Sequence, residues 1–410
     1  MLDVDLTVHD LYRGGFPYAL FRRLRDEQPI WRHPRTSLSR SPEGIEFWAV
    51  LGHPELQTVA RDWRTFTSLD GASLSPTGDD QRGHTLVSAD PPGHTRMRKL
   101  ISAGFTPRMI QRLDEQIAAR TTRVLDAAAE AGTCNFVRDV AFEVPMHTIG
   151  DILGIPEDDR PEVFRWTDII MAAPDPAAGI SKEEHFLAGA QLFEYARALG
   201  EDKRRQPTDD VWSILTTAEV EGDDGEIWRL TSSELDQFFL ILTIAGSETT
   251  RSAISGGLAA FQEHPEQWER LCADPLLLHN AVEEIIRWVT PVACFARTAT
   301  REVDLDGYEI AAGDRVSMWF PAANRDPRVF ADPDSFDIAR EPNPHVAFGG
   351  GGAHFCLGAH LARSEIRTML AELTTRFPRF EIVGAPSYLV SAPEQTIAVA
   401  LRELPVKLAP

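Results

Sequence analysis

Cysteine is scarce: the 410 residues hold four, at positions 134, 272, 294 and 356, with no CxxC spacing. That argues against a disulfide framework and against a zinc site. Long apolar runs are missing as well. The longest, FFLILTIAG at 238–246, is too short to cross a bilayer. The first thirty residues carry acidic groups and no continuous apolar segment. No signal peptide, transit peptide or membrane anchor is read there, and a cytoplasmic protein is expected. Basic charge is in deficit: 41 Lys and Arg stand against 62 Asp and Glu, a net charge of −21. Nucleic acid is therefore not expected as a partner, since phosphate recognition needs a basic stripe. Repeats, low-complexity tracts and Ser/Gly-rich linkers are also absent, so the reading is one continuous domain over 1–410.

What is present is mostly helical periodicity. Segments 108–131, 141–153, 183–205, 231–263 and 276–288 carry apolar residues at three- and four-residue spacing. Short strand-like runs sit at the edges: IEFWAVLG (45–52), REVDLDGYEI (301–310), DRVSMWF (314–320) and TIAVAL (396–401). YEIAAGDRV reads as a hairpin with Gly313 in its turn. The expected fold is mostly α, an α+β protein with a large helical region and a small sheet of sequence-distant pieces.

Segment 231–263 stands apart. TSSE supplies a capping box, Thr231 with Glu234. The first half of the helix is apolar nearly all round, as in a helix buried through a core. Into its middle the sequence puts AGSETT, with Gly246, Glu248, Thr249 and Thr250. A buried carboxylate is costly unless paired, and Gly costs about 1 kcal/mol in a helix interior. A groove carrying an acid and an alcohol toward a cavity accounts for them; a kink with a solvated Glu is the blander alternative.

The other unusual stretch is AFGGGGAHFCLGAHLAR, residues 347–363. A thiol placed between a glycine run and a helix start gains backbone N–H donors and the positive end of the helix dipole. Both favour thiolate. A single soft ligand does not make a zinc site but suits the axial position of a haem iron, where thiolate donation favours O–O cleavage. The run lacks the spacing of a dinucleotide fingerprint and the GK[ST] of a phosphate loop. A buried structural cysteine would leave the glycines and His354 unexplained.

FGGGGAHFCLG resembles the haem-binding loop of the cytochrome P-450 superfamily, the haem-thiolate monooxygenases. AGSETT resembles that family's oxygen-binding helix signature. EEIIR (283–287) contains its ExxR as Glu284 and Arg287, ADPPGHTRMRKL (89–100) resembles its propionate-contacting helix, and 323–345 resembles its meander. Any one of these is weak, but the five in order are specific and span almost the whole chain. Two departures matter. Phe348 lies eight residues before Cys356, one more than the commonest form, as in an actinobacterial branch acting on sterols and methyl-branched lipids. Ser335 stands where many members have Arg, so Arg340 is assigned as the third member of the Glu284–Arg287 structural network.

The resemblance implies the P-450 fold, with a long central helix over haem b, iron protoporphyrin IX. It implies Cys356 as the metal ligand. His94, Arg98, Arg297 and His354 are implied as propionate partners, and Ala245, Gly246, Thr249, Phe348, Gly349 and Gly358 as further haem contacts. Glu248 and Thr249 would serve oxygen activation by relaying protons, with Gly246 leaving room for the oxygen molecule. Leu86, Val87, Ile241, Ala245, Val292, Ala293 and Phe295 are the implied substrate pocket.

The implied function is insertion of one oxygen atom from O2 into a hydrophobic molecule, a sterol, terpenoid or branched lipid. A natural-product tailoring oxidase, a peroxide-driven peroxygenase and a non-catalytic haem sensor are the alternatives. No flavin or iron–sulfur module is read in the chain. Electrons are therefore expected from a ferredoxin with its NAD(P)H-dependent reductase. Arg96, Arg98, Lys99, Arg108, Arg112, Arg363 and Arg367 are the expected docking patch for that acidic donor.

Overall fold

The computed structural model describes residues 4–38, 41–78, 82–102, 104–105, 107–221, 225–390 and 399–409. Thr396, Ile397 and Ala398 of the run expected at 396–401 lie outside them; the remainder opens the strand Val399–Glu403.

The five periodic segments form the helices Pro107–Ala131, Glu143–Leu153, Lys182–Arg205, Ser232–Glu263 and Leu278–Val289. Glu143–Leu153 is entered through one π turn, Val137–Ala141. The central helix, Ser232–Glu263, starts at the capping box. The Glu234 backbone N–H donates to Thr231 Oγ1 at 3.2 Å, and the Thr231 N–H donates to Glu234 Oε2 at 2.7 Å. Two orphan donors of the first turn are thereby satisfied. The helix then runs unbroken for 32 residues, about 48 Å at 1.5 Å per residue. Around it gathers the largest core cluster, with Phe239, Leu258 and Phe261 meeting Ile285, Met369 and Leu373. The helix after the cysteine loop, Ala359–Arg376, buries the stripe Ile366, Met369 and Leu373, with Phe377 just past its end.

A five-stranded sheet runs in the order Ile30–Leu38, Ser41–Val50, Arg315–Trp319, Cys294–Ala299, Phe66–Thr67. Arg315–Trp319 lies parallel to Ser41–Val50 and antiparallel to Cys294–Ala299. The hairpin read in YEIAAGDRV does not form. Tyr308–Ile310 instead folds back on Val303–Leu305, so 301–310 is two strands rather than one. The turn is Asp306–Gly307, both at positive φ, the pairing that a two-residue hairpin loop favours. Gly313, also at positive φ, turns the chain from this hairpin into the large sheet. Period-2 alternation in Cys294–Ala299 then settles a matter of function. Phe295 and Arg297 face a central cavity, while Cys294 and Ala296 enter the core.

Candidate active site

Between the central helix, the Gly93–Ser102 helix, the strand Cys294–Ala299 and the glycine loop lies a cavity of about 890 Å³. Ala245 is exposed although it sits mid-way along a buried helix, because its methyl faces this space. Cys356 borders it, with Phe348, Gly349, His354 and Gly358 from its own loop. So do His94, Arg98, Arg297, Gly246 and Thr249, and the apolar Leu86, Val87, Ile241, Val292 and Phe295.

The loop is built by close approach. Gly349, Gly351 and Gly352 have φ of 97°, 98° and 77°, values that L side chains rarely adopt. A Cβ on Gly350 would lie 2.7 Å from Ala60 Cβ, in the helix His53–Arg61, and one on Gly352 2.7 Å from the Ala60 carbonyl oxygen. Arg61 Nε donates to the Gly350 carbonyl at 3.1 Å. The Cys356 N–H donates to the Phe348 carbonyl at 3.0 Å. Burial pushes the Cys356 thiol up, while the Gly358 N–H and the Arg98 and Arg363 charges pull the other way.

Two arginines, Arg98 and Arg297, converge with two buried histidines, and Asp90 supplies an opposing charge. His94 and His354 lie with ring centroids 4.4 Å apart. His94 Nε2 is buried and has no hydrogen-bond partner among the described residues. Burial lowers His354 to about 2, with Arg297, His94 and Arg98 adding repulsion. Burial likewise lowers Arg297 to about 10, against the opposing charge of Asp90. The Arg297 guanidinium donates to the adjacent Ala296 carbonyl, at 2.8 Å. A pair of carboxylates here would repair each of these deficits. A flat tetrapyrrole with two propionates, bound at one face by a thiolate, fits both this cluster and the glycine-lined slot.

Behind the cavity sits the buried pair read from EEIIR. Arg287 donates from Nε and Nη2 to the two Glu284 oxygens, both at 2.7 Å, and neither residue is exposed. Arg340 Nε reaches Glu284 at 3.2 Å, and the Asp337 N–H and Asn343 Nδ2 complete the carboxylate shell. The remaining Arg287 donors hold the carbonyls of Asn324, Pro333 and Ser335. Six partners from the meander thus keep a buried charge pair satisfied.

Several expected positions differ. Ala293 is fully buried, in the core cluster with Trp319 and Ala322, and is not among the residues facing the cavity. Glu248 is buried and does not line the cavity; its carboxylate binds Arg251, whose guanidinium also lies 3.6 Å from Asp168. Burial raises Glu248, with Arg251 opposing. The Thr249 hydroxyl lines the cavity but donates to the Ala245 carbonyl at 2.8 Å. Gly246 answers to packing: a Cβ there would come 2.2 Å from Ile149 Cδ1. The basic patch is thinner than its sequence count. Arg112 pairs with Asp209, Arg363 pairs with Glu283, and Arg98 turns inward to the carbonyls of Ala353 and Phe355. The Arg108 side chain lies outside the described residues.

One residue was missed. Glu365, on the helix after the cysteine loop, is 1 % exposed and borders the cavity. Its signal was available: it sits four residues from Leu361 and four from Met369, on the apolar stripe of its helix.

Fold and site together define a haem-thiolate monooxygenase. The Cytochrome P450 family model matches residues 46–385, and the chain belongs to that family. It is 36 % identical over 394 residues to a steroid C26-monooxygenase of Rhodococcus jostii, covering 94 % of this chain and 82 % of that one. To a methyl-branched lipid omega-hydroxylase of Mycobacterium bovis it is 38 % identical over 377 residues, covering 90 % and 87 %. Among solved structures, a Mycobacterium marinum cytochrome P-450 in complex with pseudoionone superposes with a TM-score of 0.89 at 35 % identity, over 99 % and 98 % of the two chains. The cofactor of this family is a haem-thiolate. Among the described residues no helix is long and apolar enough to cross a membrane.

Proposed function

We propose that the whole chain works as one haem domain in the cytoplasm and hydroxylates an apolar sterol, terpenoid or methyl-branched lipid. Electrons come from a ferredoxin reduced by its NAD(P)H-dependent reductase. The observation that carries this reading is a single cavity shared by the Cys356 thiol, two arginines with a buried histidine pair, and the Thr249 hydroxyl. The bound haem supplies dioxygen binding and its reductive activation. Cys356 holds it through sulfur, and His94, Arg98, Arg297 and His354 hold its carboxylates. Leu86, Val87, Ile241, Val292 and Phe295 exclude water and present a C–H bond without offering a charge to the ligand. The relatives' printed substrates, a steroid and methyl-branched lipids, support the same class.

Thr249 passes a proton once its hydroxyl rotates from the Ala245 carbonyl into the cavity. Glu248 feeds it on leaving Arg251. For docking of the donor, Lys99 and Arg367 remain exposed, with no ion pair among the described residues. The test is turnover under isotopically heavy dioxygen with ferredoxin, reductase and a panel of neutral sterols, terpenoids and branched lipids. One heavy atom is expected in each product. Thr249→Ala should keep the spectrum and substrate binding but divert electrons to hydrogen peroxide. Unlabelled product, or equal coupling in the variant, contradicts the reading.

A further inference from the structure

Glu283, the acid beside Glu284 in EEIIR, has partners of its own. Arg363, on the helix after the cysteine loop, donates to both of its oxygens, from Nε at 2.6 Å and from Nη2 at 2.8 Å. His345, just ahead of the glycine run, has Nε2 3.1 Å from Glu283 Oε2. The His345 side chain is 3 % exposed and that of Glu283 16 %. Burial alone would push Glu283 up; the bonds from Arg363 and His345 outweigh it and bring the acid down to about 2. A carboxylate and a guanidinium fork are thereby locked to each other from two different helices.

The same guanidinium lies over the Phe348 ring, with Cζ 4.5 Å from the ring centroid. His345 packs on that ring as well, with centroids 5.8 Å apart. Phe348 is the residue whose carbonyl receives the Cys356 N–H. Glu283, Phe348, Arg363 and Cys356 all border the one cavity. The Arg363 charge reaches the sulfur, where it favours thiolate against burial. A leucine at 363 would cover Phe348 as well; only a cation adds a charge that the sulfur feels.

Resting on the reading of this chain as a haem-thiolate enzyme, we propose that Glu283 and Arg363 are positioning residues that set the one-electron reduction potential of the bound haem. Glu283 fixes the guanidinium. The guanidinium in turn fixes Phe348 and keeps a positive charge beside the Cys356 sulfur. Reduction adds one negative charge to the haem site, so a nearby cation favours the reduced form and a nearby anion opposes it. The electron comes from the donor already named, and neither residue is oxidised or changes its protonation. Arg363 is thus assigned to the haem site rather than to a docking patch.

The test uses the haem-loaded full chain with Glu283→Gln and Arg363→Gln, titrated spectroelectrochemically between ferric and ferrous forms. Glu283→Gln leaves an unpaired cation. It should raise the ferrous-to-ferric ratio at a fixed applied potential about tenfold, about 59 mV for one electron. Arg363→Gln leaves an unpaired anion and should lower the ratio by a similar factor. Glu283→Gln/Arg363→Gln should fall between the two, and Arg363→Lys, which keeps the charge, should recover most of the shift. Loosened packing would move both single variants the same way. Shifts of one sign in both, or an unchanged ratio in both, overturn the proposal. If one single variant does not fold, the sign in the other decides: a ratio not raised in Glu283→Gln, or not lowered in Arg363→Gln, overturns it. A failed parent reading looks different, since the wild type itself would then show no thiolate spectrum.

Discussion

At Cys356 the sequence was most legible, because the surroundings of a haem thiolate are written locally: a glycine run, a histidine and a helix start within a dozen residues. The set of propionate partners was legible only through resemblance, since His94, Arg297 and His354 meet from three distant segments. Ala293 was misplaced because a one-residue step along an extended segment exchanges cavity for core. Glu365 makes a stability prediction at this scale. Its value moves from 4.5 unfolded to about 8 folded, so between those values the folded state binds the extra proton. Stability from this group is full below the lower value, declines as pH rises, and is flat above the upper one. The span corresponds to a few kcal/mol, on the order of 1.4 kcal/mol for each unit. Denaturant titrations across this range should give a shallower decline for Glu365→Gln than for the wild type. Parallel curves would show that the carboxyl is not held neutral.

The central helix shows what periodicity can and cannot say about an element. Its start followed from the capping box and its length from the apolar spacing over 231–263. Its function-bearing middle was visible as polar residues where apolar ones were due. Which way each one points was not visible, because that depends on neighbours from other elements. Arg251 claims Glu248, and Ile149 claims the space beside Gly246. Gly246→Ala would gain about 1 kcal/mol of helix propensity but force a contact that overpacking data price at about 1–3 kcal/mol. A lower denaturation midpoint is expected, with Gly246→Ala/Ile149→Ala recovering part of the loss. If the single variant is as stable as the wild type, close packing is not the reason for the glycine. The failed hairpin at 308–316 has a similar origin. Gly313 does turn the chain, but Asp306–Gly307 is the better two-residue turn, and the next strand finds its partners in sequence-distant Ser41–Val50 and Cys294–Ala299.

Over the whole molecule, long-range pairing assembles the site. The Glu284–Arg287–Arg340 network ties the helix Leu278–Val289 to the meander, and the meander delivers the glycine loop to the helix His53–Arg61. Net charge behaves the same way. The chain carries −21, and several basic residues that looked like a docking patch are neutralised by acids from other segments, as Arg112 is by Asp209 and Arg363 by Glu283. Counting charge along a helix overstated the patch because it could not see those partners. All of this converges on one sulfur atom. Reduction of the purified, haem-loaded protein under carbon monoxide, recorded as a difference spectrum, reads that atom directly. The account predicts the red-shifted Soret band of a thiolate complex in the wild type and its loss in Cys356→Ala. An unshifted band in the wild type, or a shifted band that survives the substitution, would contradict it.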